Sequence, residues 1–292
     1  MLSRQAAALN YLTLQYPGAV HTFAGGIQGG KVVGLYAQVL GQYHGFTLES
    51  NVYSPIDHPN GVSTIVSDVD GANLVGSYFG TDSRFHGFRF DGANFATIDP
   101  PLTTTLYANG TEAAGISGNR IVGQYMDDST STYGYVYNGS TFTTISYPGA
   151  ALTTAADVDG TNIVGNYSSG GKIRGYKFDG STFTSLDHPL GANGTLALGI
   201  SGSRVVGYYV DAANASHGFV YDGSSYLTLD VPASLGHETS ANGISGNAVV
   251  GQYLTNAGVY RGFLVYVPEP GCAAMFTVAL VTALLACGRK VR

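Results

Sequence analysis

Short segments rich in β-branched and aromatic residues follow one another along most of the chain, and turns containing glycine separate them. Between residues 111 and 146 the segments are 111–117, 120–127, 133–137 and 140–146. The first pair is joined by Gly118-Asn119 and the second by Asn138-Gly139. Such dipeptides favour a hairpin, because both central residues of the turn need positive φ. The pattern therefore predicts an antiparallel unit of four strands.

The same unit recurs six times. Its second strand carries a glycine two residues before a tyrosine, and these glycines are 42, 47, 42, 42 and 44 residues apart: Gly34, Gly76, Gly123, Gly165, Gly207 and Gly251. A nearly fixed spacing in this range indicates a repeat architecture. Since one unit cannot bury a core alone, the six must stack into one body. We therefore predict one domain over residues 1–266 and a tail over residues 267–292.

The two ends of the array are incomplete in complementary ways. The last unit supplies three strands, near 241–245, 248–253 and 261–266, and lacks a fourth, whereas the N-terminus opens with a fourth strand, 11–15, that has no unit of its own. A ring lets the first strand complete the last sheet and hides both edges, which an open solenoid would leave exposed. We predict an all-β, six-bladed β-propeller with four-stranded blades, closed by the N-terminal strand. A β-solenoid is the alternative.

Repeated glycines and tyrosines are predicted to serve packing. Glycine in the middle of a strand costs stability unless another backbone approaches closely. For the second-strand glycines we therefore predict close approach between blades near the axis. The same prediction covers the third-strand glycines Gly45, Gly87, Gly134, Gly175, Gly218 and Gly262. The second strand also carries tyrosines that we predict to pack between blades: Tyr36, Tyr78, Tyr125, Tyr167, Tyr209 and Tyr253.

Charge and cysteine content exclude several classes of function. Residues 1–266 contain ten Lys and Arg against eighteen Asp and Glu, a net charge of −8. Nucleic acid would be repelled, because non-specific affinity for it depends on clustered Lys and Arg. The only cysteines, Cys272 and Cys287, lie in the tail. Neither a disulfide framework nor a thiolate metal site is therefore expected in the repeats.

His44, His86 and His217 each begin a His-Gly-Phe sequence in the third strand, which raises the question of a metal site. A metal would need ligands from separate blades within about 2.1 Å of one ion. At the same position the other three repeats carry Tyr133, Arg174 and Arg261. This mixture argues against a ring of ligands. We predict side chains that are hydrogen-bonded to a neighbouring blade, with no metal and no cofactor.

An aspartate stands two residues before the repeat proline in four units: Asp57, Asp99, Asp187 and Asp230. Paired carboxylates catalyse glycoside hydrolysis at separations of about 5–9.5 Å. These four, however, lie at the end of the outermost predicted strand, far from the axis, where Asp before Pro is an ordinary turn residue. We predict turn residues and no catalytic pair.

Asp68-Val69-Asp70-Gly71 and Asp157-Val158-Asp159-Gly160 are similar to the start of a calcium-binding loop. That loop needs a glutamate at its twelfth position, where this chain has Phe79 and Ser168. We therefore predict tight hairpins. Gly115-Ile116-Ser117-Gly118 is similar to a nucleophile elbow, but Asn119 replaces the second glycine and the motif recurs as a turn. No catalytic residue is predicted.

The tail contains eighteen residues without a charge, 271–288, between Pro268-Glu269-Pro270 and a basic end made of Arg289, Lys290 and Arg292. As a helix this run would be about 27 Å long, close to the roughly 30 Å of a bilayer core. We predict a C-terminal transmembrane helix whose basic end lies on the cytoplasmic side. A buried C-terminal helix is the alternative.

The Pro-Glu-Pro motif, the apolar run and the basic end together resemble the bacterial PEP-CTERM sorting domain, over residues 267–292. The resemblance implies an exported protein of a bacterium that makes exopolysaccharide. It also implies processing near Pro268, Glu269 and Pro270 by an exosortase, a membrane transpeptidase. Residues 1–10 hold no long apolar stretch of the kind found in signal peptides. We therefore expect that the start of the chain is truncated or misassigned.

The repeats are similar to HAF-type extracellular repeats of bacteria, through His217-Gly218-Phe219-Val220-Tyr221 and Gly199-Ile200-Ser201-Gly202. This likeness covers most of residues 11–266 and implies no activity. We predict a non-catalytic surface or matrix protein, anchored or processed at its tail, whose propeller binds a glycan, such as extracellular polysaccharide, or another protein. The alternative is an extracellular propeller enzyme acting on polysaccharide. A cluster of carboxylates and basic groups at one mouth of the axial channel would favour that alternative.

Overall fold

The computed structural model describes residues 9–39, 41–100, 110–126 and 131–268. In these residues the chain forms six antiparallel sheets of four strands each. The strands are β1 Tyr11–Leu14, β2 His21–Gln28, β3 Lys31–Val39, β4 Gln42–Glu49, β5 Val52–Ile56, β6 Gly61–Asp70, β7 Asn73–Gly80, β8 Phe85–Phe90, β9 Phe95–Ile98, β10 Thr111–Ser117, β11 Arg120–Met126, β12 Thr132–Tyr137, β13 Phe142–Ile145, β14 Thr153–Asp159, β15 Asn162–Ser169, β16 Lys172–Phe178, β17 Phe183–Leu186, β18 Gly194–Ser201, β19 Arg204–Val210, β20 Ser216–Tyr221, β21 Tyr226–Leu229, β22 Gly236–Ser245, β23 Ala248–Thr255 and β24 Tyr260–Tyr266.

Each sheet is one blade. Blades 1 to 5 contain consecutive strands, β2–β5, β6–β9, β10–β13, β14–β17 and β18–β21, and blade 6 contains β22, β23, β24 and β1. The first strands of successive blades contact one another around the whole circle. They therefore surround the axis, and the fourth strands lie at the rim. The prediction of a six-bladed propeller with four-stranded blades is confirmed.

The ring is closed by the first strand of the chain. β1 runs antiparallel to β24, with Tyr11 opposite Val265 and Leu14 opposite Gly262. The Tyr11 ring meets the Phe263 ring edge to face, with 5.4 Å between centroids. The N-terminal strand thus completes blade 6, as predicted, and gives β24 a partner on its outer side.

Every first strand contains a β-bulge, which the sequence pattern did not predict. In blade 3 the register of β10 against β11 shifts between Ala113 and Gly115, and the other five first strands shift at the equivalent place. A bulge increases the local twist and re-aims the residues that follow it. Gly115, directly after the bulge, lies so close to blade 4 that a Cβ atom on it would be 2.6 Å from the Cα of Asp157.

The second-strand glycines serve contacts inside their own blades. A Cβ atom on Gly123 would overlap the carbonyl oxygen of Glu112 in β10 and would lie 2.9 Å from the Tyr135 ring in β12. The predicted approach of a neighbouring blade at these glycines is therefore wrong. Blade-to-blade approach does occur at the third-strand glycines, as predicted, since a Cβ on Gly175 would lie 3.2 Å from that of Ala197 in blade 5.

Four of the six second-strand tyrosines stack on rings of the linkers between blades. Tyr36 lies against Tyr16 and Tyr78 lies against His58, with centroids 3.6 and 3.7 Å apart and planes within 3°. The same stack joins Tyr147 to Tyr167 and His188 to Tyr209. Each linker ring stands directly before the repeat proline, so the stack fixes a blade to the linker that leads into it. The predicted packing between blades is confirmed for these tyrosines.

The predictions for the tail fall outside the described residues, apart from Pro268, which is the last of them. Glu269, Pro270, the apolar run 271–288 and the basic residues Arg289, Lys290 and Arg292 all lie beyond it. Within the part of the chain that the structure describes, no helix is long and apolar enough to cross a membrane.

Candidate functional site

Two aspartates meet near the axis of the propeller. Asp68 in blade 2 and Asp157 in blade 4 follow the bulge of their first strands. The other four blades carry glycine at this position: Gly26, Gly115, Gly199 and Gly243. The two carboxyl groups are near enough to change each other's pKa, and Gly115, in the blade between them, has no side chain to keep them apart.

Backbone N–H groups of the following blades also bind this carboxyl pair. Asp68 Oδ2 accepts a hydrogen bond from the Ile116 N–H at 2.9 Å, which links blade 2 to blade 3. Asp157 Oδ2 accepts one from the Ile200 N–H at 2.8 Å, which links blade 4 to blade 5. Each of the two carboxyl groups therefore joins its own blade to the next one near the axis.

Burial raises the pKa of both aspartates. The pKa of Asp68 rises to about 6, although the N–H groups of Ile116 and Val69 act in the opposite direction. The pKa of Asp157 rises well above its ordinary value through burial first and through the charge of Asp68 second. The folded ring therefore favours the protonated form of both carboxyl groups.

Catalytic carboxyl groups of glycoside hydrolases flank a sugar at separations of about 5–9.5 Å. Asp68 and Asp157 instead each use Oδ2 to accept a hydrogen bond from a backbone N–H of the following blade. Among the described residues, no Lys, Arg or His forms an ion pair with either of them. These bonds give the axial carboxyls a part in joining the blades.

The two sequences similar to calcium loops form hairpins, as predicted. Their turn glycines, Gly71 and Gly160, both have φ of 60°. The second carboxylate of each motif binds the turn of the next blade, because Asp70 Oδ2 accepts from the Gly118 N–H and Asp159 Oδ2 from the Gly202 N–H, both at 2.6 Å. Gln28, Ser117 and Ser201 make the equivalent contact at three more junctions. A band of turn-to-turn hydrogen bonds therefore surrounds this end of the axis.

The third-strand histidines bind the aspartates that precede the repeat prolines. His44 Nδ1 lies 3.0 Å from Asp57 Oδ1, and His86 Nδ1 lies 2.7 Å from Asp99 Oδ2. The arrangement recurs in the pairs His217–Asp230, at 2.9 Å, and Arg174–Asp187, at 2.7 Å. In each pair both residues belong to one blade, so the predicted bond to a neighbouring blade is wrong for these four. These aspartates are ion-pair partners as well as turn residues.

The remaining residues at this position behave differently. Arg261 donates to the Val20 carbonyl oxygen, in the linker into blade 1, at 2.6 Å. The Tyr133 ring packs on Tyr125, with 5.6 Å between centroids. Among the described residues, no group of three or more His, Cys, Asp or Glu side chains could hold a metal ion.

The aspartate partners change the protonation of two histidines. Burial by itself lowers the pKa of His86 and His217, but the hydrogen bonds and charges of the surrounding aspartates outweigh it, so each pKa lies above the ordinary value. By contrast, burial lowers the pKa of His188 to about 4, and the charge of His217 adds to the effect. The ring that stacks on Tyr209 is therefore neutral at pH 7.

Two cavities formed by the described residues lie at the rim, each between the outer strands of adjacent blades. The larger, which we call groove 4/5, has a volume of 620 Å³. Residues 184–190 of blade 4 line one wall, and Tyr221, Tyr226 and Thr228 of blade 5 line the other. The two tyrosine rings lie 4.6 Å apart, and burial raises the pKa of Tyr226 to about 12, so its hydroxyl group remains a hydrogen-bond donor at neutral pH.

The second cavity, groove 3/4, has a volume of 430 Å³. Its walls include Thr143 and Ser146 of blade 3, Phe178 and Phe183 of blade 4, and the Arg120 side chain. Thr143 is equivalent in the repeat to Thr184 of groove 4/5, Ser146 to Asp187, and Phe183 to Tyr226. The two cavities are therefore successive copies of one site, with different polar groups at equivalent positions.

An open groove with aromatic walls and hydroxyl groups suits a carbohydrate. An aromatic ring can cover the apolar face of a sugar, and hydroxyl or carboxylate groups can bind its hydroxyls. Of the candidates that the sequence singled out, only Asp187 lies in a groove. Arg120, Phe183 and Tyr226 were not singled out. The available signal was the aromatic residue at the first or second position of the fourth strand of every blade: Tyr11, Tyr53, Phe95, Phe142, Phe183 and Tyr226.

No protein-family model matches the chain, and no curated protein matches it by sequence. Among solved structures, a mutant of AofleA from Arthrobotrys oligospora is similar with a TM-score of 0.58 and 13% identity, over 90% of this chain and 88% of that one. TolB from Agrobacterium tumefaciens gives 0.56 and 16%, over 85% and 90%. A lectin of Aleuria aurantia, described as a six-bladed β-propeller with a fucose recognition mode, gives 0.54 and 13%, over 85% and 96%. At these identities the likeness shows a shared propeller fold.

Proposed function

We propose that the propeller is a non-catalytic carbohydrate-binding module that holds glycan chains in its rim grooves. The observation that carries this proposal is the repetition of one set of groups, hydroxyls on one wall and aromatic rings on the other, in grooves 3/4 and 4/5. A fold of the same blade number recognises fucose in the Aleuria aurantia lectin. The scaffold is therefore compatible with sugar recognition.

Two copies of a shallow site on one rigid body favour extended ligands. A single open groove binds a short sugar weakly, because little of the ligand surface is covered. When two grooves engage one chain, the second binding event is intramolecular, and overall affinity rises by about 10²–10⁴. Polysaccharide is therefore a better ligand than a free monosaccharide.

The same proposal includes export and sorting through residues 267–292. Its support is the resemblance of Pro268-Glu269-Pro270, the apolar run and the basic end to a PEP-CTERM signal. The proposed partners are an exosortase-type enzyme, the membrane and extracellular polysaccharide. A surface or matrix location would present the rim grooves to the polymer that such bacteria secrete.

The alternative function is hydrolysis or another modification of polysaccharide at the axis. It relies on the axial carboxyls Asp68 and Asp157, and the hydrogen bonds that both accept from backbone N–H groups favour the binding module instead. A glycan-bound protein that leaves its ligand intact over long incubation, measured by chromatography of the sugar, supports the binding module. Release of shorter chains supports the enzyme.

A substitution that fills groove 4/5 tests the binding function. Thr184 is exposed on the groove wall, so Thr184→Arg should weaken binding of neutral oligosaccharides by at least about tenfold. Glycan-array screening identifies a ligand, and calorimetry with a short oligosaccharide measures its Kd.

Ser54→Arg is the matched control, since Ser54 is exposed at the same repeat position in blade 1, outside both grooves. It adds the same charge and should leave the Kd unchanged. Equal loss in both variants would contradict a site in groove 4/5. Failure of the wild-type protein to bind any glycan would contradict the function itself.

A further inference from the structure

Groove 3/4 contains an arginine whose charged group has no partner in the protein. No hydrogen bond or ion pair joins the Arg120 guanidinium to any described residue, and its Nε–H is buried without an acceptor. Buried polar groups normally find a partner. An orphaned donor in a cavity wall therefore points to a ligand that supplies the acceptor.

The equivalent basic residues in other blades are occupied. Lys31 Nζ donates to the Gly71 carbonyl oxygen at 3.4 Å and lies 3.6 Å from a Glu49 carboxylate oxygen. Arg204 Nε, like Arg120 Nε, is buried without an acceptor, but Arg204 Nη1 donates to the Gly246 carbonyl oxygen at 3.0 Å and to the Asn247 side chain at 2.9 Å. In blade 4 the residue equivalent to Asn247 is Thr161, and it makes no such bond to Arg120. The free guanidinium is thus specific to the junction of blades 3 and 4.

The rest of groove 3/4 has the composition of a sugar site without a competing acid. Thr141, Thr143 and Ser146 present exposed hydroxyl groups, and the stacked rings of Phe178 and Phe183 form the facing wall. No Asp or Glu lines this cavity, although residues 1–266 carry a net charge of −8. Groove 4/5 differs in its charge, because it has the carboxyl group of Asp187 where groove 3/4 has Ser146.

We propose that groove 3/4 selects a carboxylate-bearing sugar, a uronate unit of an acidic polysaccharide. The planar guanidinium fork of Arg120 matches the two oxygens of a carboxylate and forms paired, charge-assisted hydrogen bonds with it. The hydroxyl groups of blade 3 bind the sugar hydroxyls, and Phe183 covers its apolar face. This inference rests on the proposed carbohydrate-binding function and names its ligand class. Groove 4/5, which carries a carboxylate of its own, takes the neutral units.

Calorimetry with short uronate oligomers tests the inference. The ligands are trimers of galacturonate, glucuronate and mannuronate, and the methyl ester of the trimer that binds best. The proteins are the wild type, Arg120→Ala, Arg120→Lys and the matched control Arg204→Ala, each checked for an unchanged thermal transition. Arg204→Ala removes a guanidinium at the same repeat position that already has protein partners.

At least one acidic trimer should bind the wild type, with an affinity that falls as salt rises, because charge pairing at an accessible site is screened. Arg120→Ala should weaken this binding by at least about tenfold. Arg120→Lys should bind more weakly than the wild type, since an ammonium group cannot form the fork. Arg204→Ala should match the wild type. The methyl ester removes the carboxylate from the ligand, just as Arg120→Ala removes the guanidinium from the protein. The affinity of the wild type for the ester should therefore be no higher than the affinity of Arg120→Ala for the acid.

Equal binding of acid and methyl ester, or an unchanged Kd in Arg120→Ala, would overturn the selection of uronates. If neutral oligosaccharides then still bind groove 4/5 in a manner sensitive to Thr184→Arg, the carbohydrate-binding function stands without this inference. If no saccharide of either kind binds, both fall.

Discussion

The carboxyl group of Asp68 connects the chemistry of one residue to the stability of the ring. It accepts a hydrogen bond from the Ile116 N–H of blade 3, and its charge raises the pKa of Asp157 in blade 4. In the unfolded chain the same carboxyl is solvated and has a pKa near 3.9. Folding therefore moves it to a site that prefers its protonated form.

We predict that the free energy of unfolding falls as pH rises from about 4 to about 6. In this window the folded protein keeps a proton that the unfolded chain has lost, because the folded pKa of Asp68 is about 6. Stability decreases with rising pH wherever the folded state binds more protons than the unfolded chain. Urea unfolding at several pH values between these limits measures the fall.

Substitution by asparagine identifies the source of this pH dependence. The amide of an asparagine could still accept from the Ile116 N–H and donate to Asp157, so Asp68→Asn should fold. Its free energy of unfolding should depend much less on pH between 4 and 6. At neutral pH it should be at least as stable as the wild type. The double variant Asp68→Asn/Asp157→Asn removes both titrating groups. The same fall in the double variant would exclude the axial pair. The histidines His86 and His217 do not explain this pH dependence. Their pKa values are raised in the folded protein, so their contribution to the free energy of unfolding is lost only as pH rises beyond about 6.5.

At the scale of the strand, the bulge of the first strand and the glycine of the second strand belong to one packing arrangement inside each blade. The bulged strand turns the Glu112 carbonyl oxygen toward Gly123, and the Tyr135 ring covers the glycine from the third strand. The Tyr135 hydroxyl donates to the same carbonyl at 3.1 Å. Every blade buries an aromatic ring completely at this position: Phe46, Phe88, Tyr135, Tyr176, Phe219 and Phe263.

Gly123→Ala should destabilise the protein by about 2–3 kcal/mol, because a methyl group inserted into a closely packed site forces backbone and side chains to shift. Tyr135→Phe should cost less, about 1 kcal/mol, since it removes one hydrogen bond and yields the ring that four other blades use. Urea unfolding of both variants gives the comparison. A Gly123→Ala variant as stable as Tyr135→Phe would show that the blade can relax around the added methyl group.

The sequence pattern was informative where the determinants of structure are local. The strand Thr111–Ser117 is as predicted, and the predicted strand 120–127 is present as Arg120–Met126, with residue 127 outside the described part of the chain. The bulge was missed because it depends on how two strands meet. Gly115 and Gly123 look alike in sequence, yet one faces the next blade and the other faces its own.

The grooves could not be found in the same way, because each one joins two blades. Thr143 and Phe183 belong to different repeats, and nothing near Phe183 in the sequence distinguishes a groove wall from a core ring. Arg120 and Arg204 are equivalent in the repeat, and only the next blade, with Thr161 or Asn247, decides which guanidinium is occupied. Properties that arise between repeats therefore need the assembled ring.

At the scale of the whole molecule, one pairing holds the circle closed. β1 contributes the outer strand of blade 6, and Thr13 Oγ1 lies 3.0 Å from the Tyr253 hydroxyl across that blade. Leu14 is buried at the contact with blade 1, close to Ala24 and Val250. Thr13 and Tyr253 are thus in contact although they are 240 residues apart in sequence. We therefore expect the six blades to unfold together, in one cooperative transition.

Removing residues 1–16 should therefore abolish the single cooperative transition and cause aggregation, because β24 becomes an unpaired edge and the Phe263 ring loses its cover. Thermal unfolding followed by circular dichroism and light scattering measures both effects. A circular permutant provides the matched control: Tyr11 lies opposite Val265, so residues 9–16 can follow Val267 through a short Asn-Gly turn, and blade 6 becomes continuous like the other five. This permutant should melt as the complete chain does. A truncated protein that keeps the wild-type transition would show that closure by β1 does not stabilise the propeller, and a permutant that fails while the complete chain folds would show that more than the missing strand was lost.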